Sequence, residues 1–204
     1  MVFVPPKLYA ITDVAIAGLS HLQQLKRLVE GGATLIQLRE KTAAAGEWFD
    51  DALACAEYAR KHDVTLIVND RADIAMAIGA NGVHLGQDDM PAGAARELLG
   101  RDAVVGLSTH TLEQVEAAAR LPIDYIGFGP IFPTTTKSNP DEVVGLELLR
   151  EAKRISPDLP IVAIGGITLD NFQAVLDAGA TSVAIISDLL SDAEAIADKV
   201  RTFD

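Results

Sequence analysis

The sequence has a single cysteine, few aromatic residues and no long uninterrupted apolar run. Its 204 residues contain only Cys55, which excludes an intramolecular disulfide framework and a cysteine-rich zinc site. No apolar run approaches the roughly 20 residues that a membrane-spanning helix needs. Residues 1–6 also lack the charged start and long apolar stretch of a signal peptide. We therefore expect a cytoplasmic protein that has no membrane partner.

Positive charge is scarce as well. The chain has 17 Lys and Arg against 29 Asp and Glu, which gives a net charge of −12. Such an acidic surface repels phosphate backbones, so the composition argues against nucleic-acid binding. Apolar residues make up 49% and aromatic residues 5%, so the core consists mainly of Ala, Val, Ile and Leu. These residues pack helices against a covered sheet, and the length fits one domain, expected to span residues 1–204.

Short β-rich runs alternate with helical patterns along the chain. Eight runs have the composition of buried strands, at residues 7–13, 35–40, 66–69, 82–86, 104–108, 125–129, 161–166 and 182–187. Intervening segments such as 48–62 and 111–120 are rich in Ala, Leu and Glu at helical spacing. Strands separated by helices pair in parallel, and eight units of roughly 25 residues predict an α/β fold, a single (βα)8 TIM barrel. The alternative is an open doubly wound sheet, which the absence of a domain break disfavours.

Polar side chains follow the strands, at the end of the barrel where active sites lie. Asp70 follows the third strand and Asp89 the fourth, so two carboxylates are expected to meet at the barrel mouth. Oxygen ligands of this kind suit Mg²⁺. Arg39, Lys41 and Lys137 add local positive charge to an otherwise acidic protein. Cations beside a magnesium site favour a diphosphate or a similar polyanion as ligand.

A second anion site is predicted after the last two strands. Gly165 and Gly166 end the seventh strand, and Ile186 and Ser187 end the eighth. Barrels bind phosphate at this place through backbone N–H groups. Two anion sites in one barrel mouth favour two phosphorylated substrates.

Ordinary structural roles compete with these assignments. Asp70 and Asp89 are typical helix-capping residues, and Ser108 and Thr109 can cap the helix that follows the fifth strand. His84 is expected to be a hydrogen-bonded residue of the barrel. His110 is a weaker candidate for acid–base work. The sequence holds no Ser-His-Asp or Cys-His arrangement typical of a nucleophilic site, and no dinucleotide-binding or P-loop motif.

Six short motifs occur in a fixed order along the chain. They are Gln37-Leu-Arg-Glu-Lys41, Val68-Asn-Asp-Arg71, Val83-His-Leu-Gly-Gln-Asp-Asp89, Ser108-Thr-His110, Gly127-Phe-Gly-Pro-Ile-Phe-Pro-Thr-Thr-Thr-Lys137 and Ala163-Ile-Gly-Gly-Ile167. From Lys7 to about Ser187, the chain closely resembles thiamine-phosphate synthases. The resemblance implies a transferase of thiamine biosynthesis with Mg²⁺ as its cofactor. Such an enzyme joins 4-amino-2-methyl-5-(diphosphooxymethyl)pyrimidine to a thiazole phosphate, and releases pyrophosphate and thiamine phosphate.

The resemblance also assigns roles to individual residues. The expected pyrimidine diphosphate contacts are Gln37, Leu38, Arg39, Glu40, Lys41, Asn69, Ser108 and Lys137, and the expected thiazole phosphate contacts are Thr134, Thr135, Thr136, Gly166, Ile186 and Ser187. Asp70 and Asp89 are expected to hold Mg²⁺. Arg39, Lys41, Ser108 and Lys137 are expected to act in catalysis. Family members usually carry a small residue where this chain has Asp188, and a carboxylate beside a phosphate is unfavourable unless it points away.

Members of this family are thought to react by a dissociative path, in which pyrophosphate leaves and the thiazole nitrogen captures the pyrimidine cation. Three other functions stay open at this point: a thiazole tautomerase with the same barrel, another phosphate-binding barrel enzyme, and a non-catalytic barrel that senses thiamine precursors. The sequence also leaves open self-association into a homo-oligomer, a preference for a carboxylated thiazole, and closure of residues 134–140 as a lid.

Overall fold

Eight parallel strands close into a barrel in the computed structural model of the chain, which describes residues 3–134, 136 and 142–203. The strands are β1 (Leu8–Thr12), β2 (Leu35–Leu38), β3 (Thr65–Asn69), β4 (Gly82–Leu85), β5 (Val104–Thr109), β6 (Tyr125–Phe128), β7 (Ile161–Ile164) and β8 (Ser182–Ile185). Each strand pairs with the next in the chain, and β8 pairs with β1. The predicted (βα)8 barrel is therefore confirmed, and the open sheet is excluded because β1 and β8 close the ring.

One or more helices follow each strand. They are α1 (Val14–Ala17), α2 (His21–Glu30), α3 (Ala45–Lys61), α4 (Ala72–Ile78), α5 (Ala92–Leu99), α6 (Leu112–Ala118), α7 (Gly145–Ile155), α8 (Phe172–Asp177), α9 (Ser187–Leu190) and α10 (Ile196–Val200). The expected helices at 48–62 and 111–120 correspond to α3 and α6. Within the described ranges, none of the helices combines the length and apolar character that a membrane crossing needs.

Strand alternation divides the apolar side chains between two layers. Tyr9 and Ile11 of β1 belong to a buried cluster inside the barrel, whereas Leu8 and Ala10 of the same strand pack in the larger layer between barrel and helices. Successive side chains of a strand point to opposite faces, which is the origin of this division. The same rule directs Gln37 of β2 inward and Leu38 outward.

Several predicted strands are longer than the observed ones at their C-terminal ends. The run predicted at 161–166 ends as a strand at Ile164, because Gly165 and Gly166 take backbone φ angles of 97° and 65°. A strand requires negative φ, so the chain turns at these glycines and enters the loops of the barrel mouth.

Candidate active site

A cavity of about 770 Å³ opens at the C-terminal ends of the strands. It is lined by most of the site residues predicted from the sequence: Gln37, Arg39, Lys41, Asn69, Asp70, Asp89, Ser108, Thr134, Thr136, Gly166, Ile186 and Ser187. Parallel strands bring all their C-terminal ends to one rim, so residues far apart in sequence meet here. Thr135, Lys137 and most of the proposed lid lie outside the described residues.

Two residues with predicted substrate contacts do not line the cavity. Leu38 is fully buried among the apolar side chains outside the barrel. Glu40 folds back on its own loop, where its Oε1 accepts hydrogen bonds from the backbone N–H groups of Thr42 (2.7 Å) and Ala43 (2.9 Å). Burial raises the pKa of Glu40, but these bonds and one from the Thr42 hydroxyl outweigh it and hold the pKa at about 2. Glu40 therefore braces the loop that carries Arg39 and Lys41, a role that the motif alone did not indicate.

Arg39 and Lys41, the cationic side chains that line the described part of the cavity, each pair with a carboxylate. The Arg39 guanidinium forms an ion pair with Asp13, which also caps α1 through the backbone N–H of Ile16. Lys41 Nζ lies 2.5 Å from Oδ2 of Asp70. These pairs fix the directions of two long, flexible side chains before a ligand binds.

Asp70 and Asp89 face each other at the mouth. Burial raises the pKa of Asp70, the charge and hydrogen bonding of Asp89 raise it further, and Lys41 opposes both effects. One oxygen of Asp89 accepts the backbone N–H of Gly86 at 2.6 Å. Neither carboxylate caps a helix, since the N-cap residues of α4 and α5 are Arg71 and Pro91, so the capping alternative was wrong. In the described ranges this pair is not extended to a group of three or more His, Cys, Asp or Glu side chains.

Ser108 and Thr109 at the end of β5 have different surroundings. The helix α6 is capped by Thr111, whose hydroxyl accepts the backbone N–H of Gln114 at 3.2 Å, so the capping alternative was wrong for both residues. Ser108 lines the cavity, and its Oγ lies 2.9 Å from Nε2 of His84. Thr109 is fully buried and donates to the carbonyl of Gly127 at 3.0 Å.

Tyr9 and Tyr125 line the cavity floor, although neither is among the site residues predicted from the sequence. Their hydroxyl oxygens are 2.9 Å apart, and Tyr125 Oη also lies 2.9 Å from Nδ1 of His84. His84 is thus a hydrogen-bonded barrel residue, as expected, and burial lowers its pKa to about 4. Tyrosines at inward positions of strands were the available signal, because a buried hydroxyl needs a polar partner.

His110 also lines the cavity, where its Nδ1 lies 2.7 Å from the carbonyl oxygen of Gly129.

The loops after β7 and β8 form the opposite side of the cavity. At Gly166 an added Cβ would lie 2.5 Å from the carbonyl oxygen of Pro133, so only glycine allows this approach to the loop after β6. Asn171 Nδ2 donates to the Gly166 carbonyl at 3.0 Å and holds the turn. Asp188 lies outside the cavity lining, and its carboxylate accepts the backbone N–H of Leu169 at 2.8 Å.

Comparison with known proteins identifies the family. A family model described as thiamine monophosphate synthase matches residues 8–189. A thiamine-phosphate synthase of Koribacter versatilis is 47% identical over 194 residues, which cover 92% of this chain and 90% of that protein. The corresponding enzyme of Persephonella marina is 44% identical, covering 91% of this chain and 88% of the other. The solved structure of a thiamine phosphate pyrophosphorylase from Pyrococcus furiosus superposes with a TM-score of 0.86 and 36% identity, covering 97% of this chain and 93% of that one. The chain belongs to the thiamine monophosphate synthase family.

Proposed function

We propose that the cavity binds a pyrimidine diphosphate and a thiazole phosphate together and joins them into thiamine phosphate, with release of pyrophosphate. This chain is accordingly a transferase of thiamine biosynthesis, with residues 1–204 as one catalytic domain. The observation that carries the proposal is the division of a single cavity into two sides. Cations and paired carboxylates lie on one side, and the Gly165-Gly166 turn after β7 and the Ile186-Ser187 turn after β8 lie on the other.

The pyrimidine diphosphate side consists of Gln37, Arg39, Lys41, Asn69 and Ser108. Asn69 is 8% exposed, and its Nδ2 has no hydrogen-bond partner within the described part of the chain. A buried donor without a partner costs about 1–3 kcal/mol, so an acceptor atom of a ligand would relieve that cost. A cavity of about 770 Å³ is also within the range of small-molecule sites.

Asp70 and Asp89 fit a magnesium ion. Each supplies carboxylate oxygens, the ligands that Mg²⁺ prefers. Burial and, to a smaller extent, the neighbouring Asp89 raise the pKa of Asp70, and a bound cation would favour its charged form. We propose Mg²⁺ as the cofactor. When bound, it would neutralise charge on the diphosphate oxygens and so assist departure of pyrophosphate.

The residues of the chain orient the substrates and stabilise the leaving group. The bond between the pyrimidine methylene carbon and the diphosphate oxygen breaks, and its electron pair leaves with pyrophosphate. The thiazole nitrogen then forms the new bond to that carbon with its lone pair. Arg39 and Lys41, with Lys137 beyond the described residues, offset the charge that develops on the leaving oxygen. Because the aminopyrimidine ring stabilises the cation, no covalent nucleophile of the protein is required.

The thiazole phosphate side consists of Thr134, Thr136, Gly166, Ile186 and Ser187, all of which line the cavity. Thr135 is assigned to the same side on the resemblance alone. Hydroxyl and backbone N–H groups suit a phosphate there, and the carboxylate of Asp188 is held at Leu169. A cytoplasmic location, a preference for a carboxylated thiazole and self-association stay predictions.

The test is an assay of the purified chain with both substrates and Mg²⁺. We expect thiamine phosphate and pyrophosphate to appear in equal amounts over time. A tautomerase would isomerise its thiazole without releasing pyrophosphate, and a sensor would bind the thiazole phosphate without turnover. Either result would overturn the proposal. Lys137→Ala should weaken binding of the diphosphate substrate far more than binding of the thiazole phosphate, and equal weakening would contradict the two-sided assignment.

A further inference from the structure

A continuous chain of hydrogen bonds crosses the floor of the cavity. Gln37 Nε2 donates to Tyr9 Oη at 3.0 Å, and the Tyr9 and Tyr125 hydroxyls are 2.9 Å apart. Tyr125 Oη lies 2.9 Å from His84 Nδ1, and His84 Nε2 lies 2.9 Å from Ser108 Oγ. This hydrogen-bond chain joins side chains of five strands. It ends at the Ser108 hydroxyl, which we assign to the pyrimidine diphosphate.

Two glycines make room for the central members of this chain. Gly106 of β5 pairs in register with His84 on one side and with Tyr125 on the other. A Cβ at Gly106 would lie 2.1 Å from Cζ of Tyr125. A Cβ at Gly127 would lie 2.9 Å from Cε1 of His84. The rings of His84 and Tyr125 therefore meet beside these two glycines of β5 and β6. The rings stack, and their centroids are 5.4 Å apart. Such close packing leaves the imidazole little freedom to turn.

The donors and acceptors along this hydrogen-bond chain assign it a direction. The amide nitrogen of Gln37 can only donate, so Tyr9 Oη accepts there, and the described acceptor within reach of the Tyr9 proton is Oη of Tyr125. By the same reasoning, the described acceptor for the Tyr125 proton is Nδ1 of His84. A neutral imidazole that accepts at Nδ1 carries its proton on Nε2 and donates from there to Ser108 Oγ. Ser108 then accepts from the protein, and its own proton is directed to the cavity.

We propose that Tyr125 is a positioning residue: through the Nε2–H tautomer of His84, it makes the Ser108 hydroxyl a hydrogen-bond donor toward the substrate. This inference rests on the proposed function, because the group that receives the Ser108 proton is an oxygen of the departing diphosphate. A serine that donated to His84 instead would present only lone pairs to that oxygen, which is already negative. The direction of the chain thus decides whether Ser108 favours or opposes departure of pyrophosphate.

The tautomer can be measured on the wild-type protein without ligand. Two-bond ¹H–¹⁵N spectra of ¹⁵N-histidine-labelled protein distinguish protonated from unprotonated ring nitrogens. The chain has four histidines, and loss of one set of signals in His84→Gln assigns the set of interest. We expect His84 to be protonated at Nε2 alone. A proton on Nδ1, or a mixture of both tautomers, would overturn the inference even if the protein makes thiamine phosphate.

A double-mutant cycle tests the positioning role. We expect Tyr125→Phe to lower kcat about tenfold, with KM for both substrates within about twofold of wild type. In a Ser108→Ala background the same change should have almost no further effect, because Tyr125 acts through that hydroxyl. Tyr58→Phe is the control, since Tyr58 of α3 lies outside the cavity lining and outside this hydrogen-bond chain, with its ring stacked on His62. It should keep the Nε2–H tautomer of His84 and the wild-type kcat.

Additive losses of Tyr125→Phe and Ser108→Ala would overturn the positioning role, as would equal effects of the two tyrosine variants. The His84 tautomer of the wild-type protein decides the direction of the hydrogen-bond chain even if Tyr125→Phe does not fold. If wild-type protein makes no thiamine phosphate, the proposed function fails and the positioning role fails with it. The tautomer result does not depend on activity, so the two failures are distinguishable.

Discussion

The carboxylate of Asp188 accepts a hydrogen bond from the backbone N–H of Leu169 at 2.8 Å. This bond ties the first turn of α9 to the loop between β7 and α8. The preceding residues, Ile186 and Ser187, line the cavity, whereas Asp188 does not. Asp188 therefore connects the two loops at this side of the cavity, and its carboxylate is directed to a backbone donor.

Loss of the hydrogen bond between Asp188 and Leu169 should weaken binding of the thiazole phosphate. We expect Asp188→Ala to raise KM for that substrate about 3- to 10-fold, because the turn that carries Ser187 loses its anchor. Steady-state kinetics with each substrate varied in turn would measure the change. Asp192→Ala is the control, since it removes a negative charge from the same segment but outside the cavity lining, at a side chain that accepts the backbone N–H of Glu194. If Asp188 repelled the phosphate, its removal would lower KM, opposite in sign to the expected result.

The carboxylate pair leads to a prediction about metal dependence. Asp70→Asn or Asp89→Asn should cut turnover at least ~10-fold, with partial recovery at higher Mg²⁺ concentration. Titrating Mg²⁺ against initial rate measures both effects. Asp73→Asn is a suitable control because Asp73 pairs with Arg71 at 2.6 Å outside the cavity lining. Full activity of a variant at low Mg²⁺ would show that the substituted carboxylate is not a ligand.

Substitutions of Ser108 and Thr109, two neighbouring hydroxyl residues at the end of β5, should have different effects: one on turnover and the other on stability. Ser108→Ala removes a hydroxyl from the cavity and should slow turnover about tenfold or more, with little change in Tm. Thr109→Val removes a buried donor to the Gly127 carbonyl and should reduce the free energy of unfolding by about 1–2 kcal/mol, with turnover kept. Rate and Tm measured for both variants decide between the roles. A Ser108→Ala protein that melts earlier but turns over normally would make Ser108 a structural residue.

Glu40 should make stability depend on pH in the acidic range. Its pKa of about 2 lies below the ordinary value of 4.5, so its stabilising contribution is complete above about pH 4.5 and is lost as the pH falls toward 2. We expect Glu40→Gln to lower the free energy of unfolding by about 1–3 kcal/mol at pH 7. The difference from wild type should shrink as the pH falls below 4.5.

Urea unfolding at several pH values measures this difference. Glu57→Gln on the exposed face of α3 is the matched control, and it should change the stability little at any of them. A Glu40→Gln protein as stable as wild type at pH 7 would show that the loop does not depend on this carboxylate.

The sequence by itself determined the barrel and the position of its active end. Strand and helix patterns are local, so all eight strands were found, with errors of one or two residues where polar or glycine residues end them. Carboxylates after β3 and β4 were expected to converge, because parallel strands bring their C-terminal ends to one rim whatever the details of packing. The family motifs added roles for individual residues without showing where their side chains point.

Only the tertiary structure decided the direction of those side chains. Within one motif, Gln37 and Arg39 line the cavity, Leu38 packs outside the barrel, and Glu40 turns back to its own loop. Loop residues follow no repeating period, so no pattern in the sequence distinguishes Glu40 from its neighbours. The bond between Tyr9 and Tyr125 joins residues 116 positions apart, and it exists only because the sheet closes and brings inward-facing hydroxyls together. Contacts of this kind depend on the packed barrel as a whole, and local sequence carries no record of them.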